Sequence, residues 1–82
     1  MKSPFQEMVE RWPSSLVARR EIGKFSGGIL SSRYLANLDA LGEGPSDRLR
    51  IGRQIVYKTA EVAAWLEARS SVIPEKKSRK LS

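Results

Sequence analysis

The 82-residue sequence contains no cysteine and no histidine. Without thiols there can be no disulfide and no thiol nucleophile, and without Cys or His there is no zinc-finger ligand set. The lack of histidine also removes imidazole, the usual proton carrier near neutral pH. No arrangement of carboxylates, serines and lysines supplies the nucleophile–base or acid–base pairs that an active site needs. No enzymatic activity, cofactor, metal or small-molecule ligand is therefore expected. No apolar run approaches the ~20 residues required to cross a bilayer, and Met1–Pro4 does not open a signal peptide. A cytoplasmic protein with no membrane partner is expected.

What is present is the content of one small domain. Hydrophobic residues make up 40% and charged residues 29%, the range of a folded soluble chain. At this length roughly 60–65% of the unfolded surface is buried on folding, which leaves little room for a deep cleft. Acidic side chains are the scarce sign: nine Asp+Glu stand against fifteen Lys+Arg, a net charge of +6. The excess is local. Residues 16–58 hold eight Lys/Arg against four Asp/Glu, and residues 70–82 hold four against one. Two basic regions in so short a chain point to a polyanionic partner.

In Pro4–Trp12, Phe5, Met8, Val9 and Trp12 recur at spacings of three and four, the stripe of an amphipathic helix. Ser3 is placed to cap it, Pro4 suits its first turn and Pro13 ends it. The stripe carries no interleaved basic residue, so Phe5 and Trp12 are expected as core anchors rather than base-stacking platforms. Leu16–Val17 is too short a run to assign. A second helix is expected over Arg19–Phe25, burying Ile22 and Phe25 and leaving Arg19, Arg20 and Lys24 free for phosphates. Gly23 inside it costs ~1 kcal/mol relative to alanine, which suggests close approach of another backbone. Ser26-Gly27-Gly28 then breaks the helix; the order GKFSGG is not that of a P-loop, in which the lysine follows the last glycine.

Ser31 or Ser32 caps a third helix that runs to about Leu41, with Leu35, Leu38 and Leu41 inward. Ser32, Arg33, Ala36, Asn37 and Ala40 fall on the outer side, and Tyr34 at the border. Arginine bonds guanine and asparagine bonds adenine in bidentate fashion, each worth ~1–3 kcal/mol of discrimination. After Gly42–Pro45, Arg48–Ile51 alternates polar and apolar, Gly52-Arg53 offers a tight turn, and Gln54–Lys58 returns as a second strand. With Leu49 and Ile51 toward the core, Arg48 and Arg50 face outward and Arg53 sits at the tip. Thr59 is expected to cap a last helix whose Val62, Trp65 and Leu66 close the core. Residues 70–82, with Lys76, Lys77, Arg79 and Lys80, have the composition of a disordered basic tail.

Helix, glycine turn, helix, basic hairpin, helix is the order of a winged helix-turn-helix. The expected fold is mostly α with a small β-hairpin, divided into an N-terminal helix and lead-in (1–15), the winged unit (16–69) and a tail (70–82). Ser31 and Leu35 in the third helix, the Gly44-Pro45 turn, the RIGRQIVY hairpin (Arg50–Tyr57) and the EVAAWLEAR helix (Glu61–Arg69) together resemble the excisionase and AlpA-type small winged helix-turn-helix proteins. Those are relatives of the MerR DNA-binding domain. The turn at Ser26–Leu30 is a couple of residues longer than is usual in that group, and the helix at Pro4–Trp12 lies outside its common pattern.

The resemblance implies sequence-specific binding of double-stranded DNA by a bacterial or phage-encoded, nucleoid-associated protein. Its role would be that of a transcriptional regulator or a recombination directionality factor of a mobile element. The expected contacts are Ser32, Arg33, Tyr34 and Asn37 in the major groove, with Arg48, Arg50 and Arg53 on the backbone and Arg19, Arg20 and Lys24 adding phosphate contacts. Further partners on this reading are a second copy, an integrase or RNA polymerase. The alternative is an adaptor that recruits such a partner through the Phe5/Met8/Val9/Trp12 stripe.

Overall fold

Serine caps start two of the helices, as their place before apolar-periodic runs predicts. The Ser3 hydroxyl accepts the Gln6 amide while the Gln6 side chain accepts the Ser3 amide, a complete capping box, and Ser31 Oγ accepts the Tyr34 amide. The computed structural model describes residues 3–71, so the basic tail expected at 70–82 lies outside the described residues from Val72 onward. Among the described residues the chain forms α1 (Pro4–Arg11), β1 (Leu16–Ala18), a single 3-10 turn (Arg19–Glu21) running into α2 (Ile22–Phe25), α3 (Ser32–Ala40), β2 (Leu49–Ile51), β3 (Gln54–Lys58) and α4 (Thr59–Arg69). None of these helices is long and apolar enough to cross a membrane.

The architecture is mixed α/β rather than mostly α with an isolated hairpin. The difference is β1, which joins the hairpin to make an antiparallel sheet of order β1-β3-β2. Three residues are too few to show a period, so neighbours must hold the segment extended. Trp12 Nε1 donates to the Leu16 carbonyl at 3.0 Å, and the Thr59 amide and hydroxyl both donate to the Ser15 carbonyl, at 2.9 and 3.2 Å. Thr59 is thereby taken from its expected role. It sits inside the first turn of α4 and its side chain caps nothing.

The core lies between the sheet and the helices. Val17 and Tyr57 from the sheet meet Ile22 and Phe25 of α2, Leu35 of α3, and Val62 and Leu66 of α4. Phe5, Met8, Val9 and Trp12 pack half-buried against this cluster, and the Trp12 ring meets Phe25 edge-on at 5.6 Å. The N-terminal stripe therefore turns inward. Three expected core residues do not: Leu41, just past the end of α3, is exposed, and so are Leu49 and Ile51.

Gly27 and Gly28 both hold positive φ, 66° and 89°, and make the sharp turn between α2 and α3. Gly23 is different, because a methyl added there would meet only the Leu30 carbonyl at an ordinary 3.6 Å. Close packing does not require glycine at that position. After α3 the chain is tied to α4: Trp65 Nε1 donates to the Glu43 carbonyl at 2.9 Å and the Ser46 hydroxyl to Glu61 at 3.1 Å. These bonds fix the loop that leads into the hairpin against α4.

Candidate nucleic-acid interface

Cross-strand neighbours in an antiparallel pair project from the same face of the sheet. The register pairs Leu49 with Val56, Arg50 with Ile55, and Ile51 with Gln54. Ile55 shares its face with Tyr57, whose hydroxyl reaches α3. Arg50 therefore stands on the α3 side of the hairpin, while Leu49 and Ile51 stand on the far side. This reverses the expected orientation of the two apolar residues and brings Arg50 to the side on which α3 lies.

The near ends of the two elements share one hollow. A shallow depression of about 210 Å³ is lined by Arg19, Arg20, Ser32, Arg53, Gln54 and Ile55, and none of its lining residues is acidic. Ser32 is the first residue of α3 and Arg53 belongs to the hairpin turn, so the depression bridges helix and hairpin. On α3, Leu35, Leu38 and Asp39 point inward, while Arg33 and Asn37 are exposed on the outward arc. Arg20, Arg33, Arg50 and Arg53 are exposed and make no ion pair with any described residue. The depression thus joins the start of α3 to the hairpin turn without a lining carboxylate.

Four of the expected contacts stand apart from that surface or are engaged within it. Tyr34 lies on the opposite flank of α3, in a hollow with Ile29, Trp65 and Arg69. Lys24 lines a separate hollow with Arg11 and Trp12 of the N-terminal segment, at a loose 3.7 Å from Glu21. Arg19, expected to be free, is not: its Nη2 meets Asp39 Oδ2 at 2.7 Å and its Nε donates to the Tyr57 hydroxyl at 2.9 Å. Arg48 approaches Asp39 as well, Nη1 to Oδ1 at 3.6 Å.

Asp39 is the residue that the amphipathic pattern missed. Its side chain is 5% exposed, and it accepts from the Tyr57 hydroxyl at 2.5 Å as well as from Arg19. A carboxylate so buried is tolerated only with a counter-charge and donors, and here the 3-10 turn, β3 and the approach to β2 supply them. The signal was available in part, since Asp39 falls one turn after Leu35 and beside Leu38, within the inward arc of α3. Gly44 belongs to the same cluster. A Cβ built there would come within 1.9 Å of Asp39 Oδ1, so the backbone can lie over the carboxylate only because the residue is glycine.

Burial pushes the Tyr57 phenol up to about 12; the hydrogen bond to Asp39 adds to this and that from Arg19 opposes it. A folded-state value above the ordinary tyrosine value favours the folded state below about pH 10, and that contribution drains away as pH rises toward 12. Denaturant unfolding is expected to lose on the order of 2 kcal/mol across that interval. Tyr57→Phe, less stable at neutral pH, should show a flatter alkaline profile. Parallel profiles for the two proteins would contradict the assignment.

Comparison with family models, with curated proteins and with solved structures returns no match for the chain.

Proposed function

We propose that this chain is a winged helix-turn-helix protein that binds double-stranded DNA without catalysing a reaction. The outer face of α3, with Arg33 and Asn37, enters the major groove, and Arg50, Arg53 and Arg20 contact the phosphate backbone beside it. The observation that carries this reading is the depression shared by Ser32, Arg20 and Arg53, which joins helix and hairpin in one surface without a lining carboxylate. An acid-poor surface of this kind attracts a backbone electrostatically, and helix-borne amide and guanidinium groups can address base edges. The resemblance of the Ser31–Arg69 stretch to excisionase and AlpA-type proteins agrees with it. In that setting the protein acts as a transcriptional regulator or recombination directionality factor of a phage or mobile element. The adaptor alternative is weakened because the Phe5/Met8/Val9/Trp12 stripe packs against the domain's own core.

The test is a titration of the full chain with random-sequence duplex, with single strands, and with a duplex enriched by selection, over a series of salt concentrations. Duplex is expected to bind better than single strand, with affinity falling steeply as salt rises. Asn37→Ala should keep the affinity for random duplex and lose roughly 5- to 150-fold of the preference for the enriched one. Equal losses on both duplexes would remove Asn37 from base readout, and preference for single strands would overturn the proposal.

A further inference from the structure

Arg48 sits apart from the other exposed arginines because it faces a buried carboxylate oxygen. Asp39 Oδ2 receives two donors, Tyr57 and Arg19, but Oδ1 is buried and accepts no hydrogen bond among the described residues. The cation within ion-pair distance of Oδ1 is Arg48, at 3.6 Å. Gly44 closes over the same oxygen. Since β3 delivers Tyr57 and the lead into β2 delivers Arg48, both strands of the hairpin are attached to one carboxylate of α3. Attachment at two points resists rotation of the hairpin about the helix, where a single bond would act as a pivot.

We propose that Arg48 is a positioning residue and not a phosphate ligand: held by Asp39, it sets the hairpin at a fixed angle to α3. This rests on the DNA reading above for its effect on binding, though not for its effect on the hairpin. A guanidinium that leaves Asp39 for a phosphate would leave the buried Oδ1 with neither a donor nor a facing cation, so the pair stays closed in the complex. Arg48 then displaces no counterions from the duplex. Its contribution is geometric: Arg50 and Arg53 meet the backbone in register with the base edges that α3 reaches. Asp39 thereby becomes a residue on which sequence preference depends although it touches no nucleotide.

The test uses Arg48→Met in the full chain, a substitution that keeps the aliphatic stem and removes the charge at a half-exposed position. Affinities are measured against a random-sequence duplex and against one enriched by selection on the wild type, across salt. The expected result is an unchanged salt slope on random duplex and about a tenfold loss of preference for the enriched one. A slope lowered by about 0.9 with equal weakening on both duplexes would make Arg48 a phosphate ligand and overturn the proposal. Backbone amide relaxation of the DNA-free protein supplies a second readout. Greater mobility of residues 49–56 in Arg48→Met, with α3 unchanged, supports the positioning role; identical relaxation overturns it. Failure of the wild type to bind any duplex would count against the DNA reading alone, and the relaxation comparison would still decide the role of Arg48.

Discussion

Asp39→Ala is expected to destabilise the domain by about 3 kcal/mol, the lower end of what removing one partner from a buried pair costs. The loss is large because two donors and a further cation converge on the carboxylate. Arg19 Nη2 at 2.7 Å and the Tyr57 hydroxyl at 2.5 Å lose their acceptor, and Arg48 loses its counter-charge. The Tyr57 side chain is fully buried, so water cannot take the acceptor's place. Arg19 retains some solvent contact, which keeps the figure from rising further. For a chain of this size such a loss lowers the melting temperature by roughly 12–24 °C. Thermal and urea unfolding of the DNA-free protein measure it. A change within about 0.5 kcal/mol, the ordinary range for a surface carboxylate, would mean that Asp39 is solvated and the network does not exist.

Arg50→Ala combined with Arg53→Ala is expected to reduce affinity for random duplex by roughly a hundredfold at low salt, taking about 1.5 kcal/mol for each charge-assisted contact. The slope of log K against log salt should fall by about 1.8, since each contact releases close to one counterion. Stability should barely move, because both side chains are exposed and neither is ion-paired with a described residue. That separation matters. Asp39→Ala acts through the fold and the arginine pair acts through the ligand, so melting and titration should sort the two substitutions into different classes. A double variant that binds as tightly as the wild type would place the duplex elsewhere on the molecule or remove it.

The sequence carried the order of the helices and the starts of α1 and α3, because capping and apolar periodicity are local. Ser3, Ser31, the Gly27-Gly28 turn and the Gly52-Arg53 turn all depend on residues within a few positions of one another. What it did not carry was pairing at a distance. Alternation at Arg48–Ile51 marks two faces but does not say which one meets the core; the register with Ile55 and Tyr57 decides that. Likewise β1 is extended because Trp12, Ser15 and Thr59 hold it, not because Leu16–Ala18 announces a strand. Arg19 looked like a free cation because its partners lie 20 and 38 residues further on. Of the candidate contacts, Ser32, Arg53, Arg20 and Arg19 line one depression without a carboxylate, Arg33, Asn37 and Arg50 are exposed, and Tyr34 and Lys24 border other hollows.

The central claim is that α3 and the α3-facing side of the hairpin meet a duplex together. An NMR titration of the isotopically labelled chain with random-sequence duplex DNA tests it most directly. The account expects the amides around Ser32–Asn37 and Arg50–Arg53 to shift in parallel at the same DNA concentrations, with those of α1 unmoved. Shifts confined to one of the two elements, or centred on the Ile29–Trp65 hollow, would contradict it.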